Sequence, residues 1–269
     1  MASRSTPPAR VLTLGGLRTA DGSPVSPKPL LIAAYLTLEG PTARTHLAAL
    51  FVPHADDPAD ALSTAVRRAG GLVRNDTDTT RLTSAGDSDA QVFRSLALNG
   101  RPHEALAFYG GAFLEGAIPR VGPELEEWCM RTREDLAALA VTASLQRARH
   151  ALSGGDREEA TRHVVDALRR APPGVLRGVP VDTLQRLCLE TGVHLPGHLL
   201  EVVGGARLRR ARGRRSERRH GGRTGRRGLL PGWPALATTV SALLAESERH
   251  PLRRRALGIA RRHTVVQRS

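Results

Sequence analysis

Asp60-Ala-Leu-Ser-Thr-Ala-Val-Arg-Arg-Ala-Gly-Gly-Leu-Val-Arg-Asn75, continued by Thr79-Thr-Arg-Leu-Thr83, is the stretch whose reading decides the fold. From Asp60 to Ala69 the apolar residues recur at helical spacing. Leu62, Val66 and Ala69 share one face, and Ser63, Thr64, Arg67 and Arg68 fall outward. Gly70-Gly71 stops that helix. Leu72-Val-Arg74 and Thr79–Thr83 then read as short strands, with Asn75-Asp76 as the turn between them. Upstream, Thr42 to Phe51 reads as a short helix carrying Leu47, Leu50 and Phe51, and a loop from Val52 to Pro58 follows it. Lys28 to Leu38 is an earlier helix with Pro29 in its first turn and Gly40-Pro41 as its stop. Its inward face is Leu30, Ala33, Ala34 and Leu38. Earlier still, Arg10-Val-Leu-Thr-Leu14 alternates like a strand, turned by Gly15-Gly16 toward Leu17–Thr19, with a second turn at Asp21-Gly22. A small sheet, three helices and a β-ribbon is the order of a winged helix, in which the third helix enters the major groove and the ribbon reaches the backbone or minor groove.

Beyond residue 87 the pattern is helix and loop only. Helices are expected over Ser88–Leu98, Arg101–Tyr109, Pro123–Leu152, the segment capped by Asp156 and ending at Arg170, and Val181–Thr191. Gly100 with Ala105-Leu106 and Tyr109 echoes Gly155 with Ala160, Ala167-Leu168 and Pro172. Small residues at helix crossings and a proline after the second helix are what a stacked helix-pair repeat needs. The expected fold class is therefore mainly α with a small β component: a winged helix over 9–84, then a tetratricopeptide-like helical domain over 87–200. An Arg/Gly-rich disordered linker over 206–231 and a basic helical tail over 232–269 are expected to follow.

Composition narrows the function. Apolar residues make up 40% of the 269, enough for real cores, whereas aromatics are 3%, so those cores rest on Leu, Ala and Val. The net charge of +14 points to a polyanion, but most of the surplus sits in the run from Arg207 to Arg227. Lys28 is the sole lysine, which excludes a P-loop and Schiff-base chemistry. Cys129 and Cys188 stand far apart and outside any CxxC, so neither a disulfide framework nor a cysteine-rich zinc site is expected. No run approaches the ~18 apolar residues of a spanning helix, and the N-terminus lacks a signal-peptide core. A cytoplasmic location with no membrane partner is the expectation from these features.

Arg10-Val-Leu-Thr-Leu-Gly-Gly-Leu17, Pro27-Lys-Pro-Leu-Leu-Ile-Ala-Ala-Tyr-Leu-Thr-Leu-Glu-Gly40 and Leu47-Ala-Ala-Leu-Phe51 resemble the DNA-binding half of the antibiotic regulatory protein (SARP) type of activator. Glu104-Ala-Leu-Ala-Phe-Tyr-Gly-Gly-Ala-Phe-Leu-Glu-Gly116 is similar to the opening of the bacterial transcriptional activator domain (BTAD), and Glu126–Leu136 and the Gly155-Asp156 helix extend the likeness. The likeness covers roughly residues 10–172; from Pro172 onward the pattern departs from the family. The resemblance implies a transcription regulator that acts as an activator, whose partners are promoter double-stranded DNA and RNA polymerase and which forms a homodimer.

Arg67 and Arg68 are the first candidates for base or phosphate contact, because guanidinium groups match guanine edges and phosphates. Ser63 and Thr64 lie beside them. Arg44 and Thr45 open the second helix, where a phosphate can sit on a helix N-terminus, Thr45 alternatively serving as a plain cap. Arg74 and Arg81 flank the wing. The third helix is preceded and opened by acids, Asp56, Asp57 and Asp60, which a DNA reader uses less often. Asp76, Asp78 and Thr80 imitate the start of a calcium loop, but Arg81 replaces its glycine and Asp87 its last glutamate. Pro196 between His194 and His198 opposes a zinc-binding helical face. Trp128 is read as core. No GxSxG or GxGxxG occurs, so no enzyme, metal or cofactor is expected. A protein-interaction scaffold built on a degenerate winged helix is the alternative to the regulator.

Overall fold

The computed structural model describes residues 11–77, 80–117, 121–171 and 181–195. The expected linker over 206–231 and tail over 232–269 lie outside these residues, as do Asp78 and His198. The chain divides into two compact units, Met1–Leu136 and Ala137–Ser269. The fold is mainly helical with small sheets.

The first unit opens with β1 (Val11–Leu12) and β2 (Arg18–Thr19), an antiparallel pair in which Val11 faces Thr19. α1 (Pro27–Glu39) follows, with a proline in its first turn and Gly40 ending it at φ 81°. Every residue from Pro29 to Leu38 is buried. The expected inward face of Leu30, Ala33, Ala34 and Leu38 is buried, and so is the rest of this stretch, Thr37 included, whose hydroxyl is bonded to Ala34 O and Ser88 Oγ; α1 is enclosed on every side. β3 (Thr42–Ala43) then leads without a break into α2 (Arg44–Phe51). α3 (Pro58–Arg68) is capped by Asp57, whose carboxylate accepts from the Ala59 and Asp60 amides. Leu62, Ala65 and Ala69 are its buried positions, so Ala65 takes the inward place expected for Val66.

β4 (Val73–Asn75) and β5 (Arg81–Ser84) form the ribbon, and β3 joins it in the antiparallel order β3-β5-β4. Leu82 is fully buried at the centre of this sheet, opposite both Thr42 and Asn75. Small sheet, three helices and ribbon occur in the order of a winged helix.

α4 (Asp89–Leu98), capped by Ser88, and α5 (Pro102–Phe108) make a helix pair turned at Gly100, φ 69°. They belong to the same unit as the winged helix, and the join is polar. The buried Asp89 carboxylate accepts from the Thr13 amide (2.7 Å), the Thr13 hydroxyl (2.7 Å), the Leu14 amide (3.0 Å) and its neighbour Ala90 (2.8 Å). Gly15 is more than a hairpin turn. Its amide donates to Ala112 O at 3.0 Å, and its Cα lies 2.8 Å from where a Cβ on Gly111 would stand.

α6 (Pro123–Ser153) contains the division between the units. Within the first unit Trp128 is half-buried rather than core, which corrects the expectation. Its Nε1 donates to Glu39 Oε1 at 2.8 Å, while its ring lies 4.8 Å from Tyr35 and 5.7 Å from Phe113. The amphiphilic indole keeps its polar edge on a carboxylate at the surface.

In the second unit α6 packs through Val141, Leu145 and Ala148 on α7 (Arg157–Arg170), and α8 (Val181–Thr191) adds Leu184, Leu187 and Cys188. Asp156 caps α7 through the Glu159 amide at 2.8 Å. Small residues at the crossings and the turn at Gly155 (φ 84°) make a tetratricopeptide-like helix pair. Glu159 receives both Arg147 and His163, and burial holds the His163 imidazole below its ordinary pKa.

Candidate nucleic-acid interface

The outward face of α3 exists because Leu62, Ala65 and Ala69 turn the other face into the core. That leaves Arg67 and Arg68 exposed and Ser63 and Thr64 half-buried at their side. Arg67 Nη2 donates to Thr64 Oγ1 at 3.0 Å, one turn back on its own helix. Arg68 has no partner among the described residues, and neither has Arg74, exposed on β4. These guanidinium groups are open to an incoming anion.

Arg44 and Arg81 are placed differently. Arg44 is half-buried, and its Nη1 donates to Asn75 Oδ1 on β4 at 2.9 Å. Its Nη2 donates to Ser63 Oγ on α3 at 3.2 Å, and its backbone amide to Thr80 O at 2.9 Å. Ser63 donates in turn to Ala59 O at 2.8 Å. Arg81 sits opposite Ala43 on the ribbon and donates from Nη2 to Pro41 O. Thr45 is exposed but does not cap α2. The cap is Ala43, which offers no side-chain acceptor, so the expected threonine cap is corrected.

The geometry thus gathers Arg44, Ser63 and Asn75 into one bonded set, with Thr64, Arg67 and Arg68 farther along α3. Sequence reading missed Asn75, which it assigned to a turn. No local pattern signals its pairing with a residue 31 positions away.

The acids ahead of α3 divide by role. Asp57 is committed to the cap, while Asp56 and Asp60 remain exposed. Asp60 stands on the helix surface two turns before Arg67, so the face is positive at its C-terminal end and negative at its start.

No family model matches the chain. No curated protein matches it either. A solved structure described as Mycobacterium tuberculosis EmbR in complex with low affinity phosphopeptide is similar to it at 16% identity and a TM-score of 0.48. That similarity covers 93% of this chain and 69% of the other.

Among the described residues no group of three or more His, Cys, Asp or Glu side chains is placed to hold a metal ion. Burial pushes the Cys129 thiol up to about 11 and raises that of Cys188, so both remain protonated and poor nucleophiles. No described helix is long and apolar enough to cross a membrane.

Proposed function

We propose that this chain is a DNA-binding transcription regulator of the SARP type, acting in the cytoplasm as an activator. Residues 9–84 form its DNA-binding module and 87–200 an activator domain for dimerisation, activation or signal input. In this reading α3 enters the major groove of promoter DNA and the β4–β5 wing lies on the backbone. The observation that carries it is the exposed arginine set, Arg67 and Arg68 on α3 with Arg74 on the adjoining wing. RNA polymerase is the partner through which activation would pass.

The test is competition binding by the full chain to labelled promoter DNA against bulk DNA at near-physiological salt. Arg67→Ala with Arg68→Ala removes roughly 1–3 kcal/mol per lost base contact and relaxes sequence preference. Arg74→Ala weakens binding evenly across sequences and lowers the salt slope by about one. Preference unaltered by the α3 substitutions counts against the reading.

A second reading, a protein-interaction scaffold with a degenerate winged helix, is favoured by one observation. Asp56 and Asp60 expose carboxylates at the start of α3, where phosphate would be repelled. Under it the wild-type chain shows no competitor-resistant binding, and the arginine substitutions change nothing.

A further inference from the structure

We infer that Arg44 is a positioning residue which latches the wing to the third helix, rather than a phosphate contact. The inference concerns the same surface as the DNA-binding reading and rests on that reading only for its consequence, which is sequence discrimination.

A guanidinium is a planar fork that directs donors along two separate lines. Arg44 spends one arm on Asn75 of β4 and the other on Ser63 of α3. Both acceptors are neutral oxygens, and each belongs to a different element. The Ser63 hydroxyl proton is already committed to Ala59 O, so the oxygen's lone pair faces Arg44. The main chain adds a further tie at the same residue, from the Arg44 amide to Thr80 O beside the ribbon. Arg81 makes a parallel tie, from β5 to Pro41 O just ahead of β3.

A two-stranded ribbon held only by its own ladder twists and slides readily. Here β5 is already paired with β3 and tied by Arg81 to Pro41 O, so β4 is the outer strand, and Arg44 is the side chain that holds β4 to α3. The separation between Arg74 on the wing and Arg67 and Arg68 on the helix is thereby set before any ligand arrives. Preorganisation of this kind lowers the ordering cost of binding at two places at once. It sharpens discrimination, because a duplex whose groove geometry differs cannot draw the wing across to fit.

Arg44→Lys separates the latch from a simple charge. Lysine keeps the positive charge but offers a single ammonium that cannot fork to both acceptors. In the full chain without DNA, amide hydrogen exchange over 73–75 and 81–84 is expected to quicken about threefold or more in Arg44→Lys. The same quickening is expected in Asn75→Ala, and the double variant should add little to either single one. Exchange unchanged in Arg44→Lys overturns the latch.

With DNA, the ratio of promoter to bulk affinity is expected to fall several-fold in Arg44→Lys at an unchanged salt slope. A salt slope reduced by about one in Arg44→Ala and restored in Arg44→Lys marks a phosphate contact and overturns the proposal. Should the wild-type chain show no sequence preference, the DNA-binding reading fails, and the exchange measurement alone still decides the latch.

Discussion

Asp89 is the residue on which the first unit turns. A charged side chain at 5% exposure is tolerable only when its oxygens are saturated with donors, and here Thr13, Leu14 and Ala90 supply them. Asp89→Ala strands the Thr13 and Leu14 amides, each unmet donor costing ~1–3 kcal/mol. We expect a loss of about 3 kcal/mol in urea unfolding, the summed scale of such defects. A loss below ~1 kcal/mol would mean that water replaces the carboxylate freely. Asp135 is the opposite case. Burial raises its pKa to about 6, with Arg131 and Arg94 opposing the rise and Glu134 and Glu39 adding to it. The folded state therefore holds this proton more tightly than an ordinary aspartate at 3.8, the reference for the unfolded chain. Its contribution to stability is present below about pH 4 and is lost as pH rises through about 6. Asp135→Asn is expected to stabilise the protein at pH 8 by about 1 kcal/mol, discounted because the group is only half-buried. The gain should vanish at pH 4, and a gain that does not depend on pH would show that charge is not its source.

At the scale of elements, the close approach of Gly15 and Gly111 sets how β1 meets the segment after α5. A Cβ on Gly111 would stand 2.8 Å from Gly15 Cα and 2.6 Å from Glu115 Oε2, and the glycine contact is backbone that cannot swing aside. Gly111→Ala is expected to lower stability by roughly 1–3 kcal/mol, the range for overpacking, read as a drop in melting temperature. Gly22→Ala, whose site has open space but a φ of 75°, serves as the comparison for backbone strain alone. The elements legible in the sequence were those with strong punctuation. The Asp156 cap announced α7, Pro123 stands at the expected start of α6, and the Leu62–Ala69 spacing revealed α3. β3 escaped because it has two residues, too few for any alternation to register. The enclosure of α1 on all sides also escaped, since an apolar stripe does not say whether the remaining faces meet solvent. Of the candidate site, the outward positions Arg67 and Arg68 follow from helical period alone. The bonded state of Arg44 does not, because it depends on where a distant strand is laid down.

For the whole molecule, the net charge of +14 mixes two sources that a binding curve can separate. The run Arg207–Arg227 carries most of the surplus, whereas the winged helix sets Arg44, Arg67, Arg68, Arg74 and Arg81 beside Asp56, Asp57, Asp60 and Asp76 and is nearly balanced. A nearly balanced surface discriminates through geometry, and a dense arginine run attracts any polyanion. The two therefore differ in how salt affects them, since each phosphate neutralised on duplex DNA adds about 0.9 to the slope of log affinity against log salt. Removing residues 206–269 is expected to flatten the slope for bulk DNA by several such increments. It should weaken bulk binding by orders of magnitude at low salt and leave the preference for promoter over bulk DNA intact or improved. Filter-binding titrations between about 50 and 200 mM salt span the range in which these effects separate. Preference that disappears with the tail would place recognition in the arginine run, and α3 with its wing would then be left without a role in reading sequence.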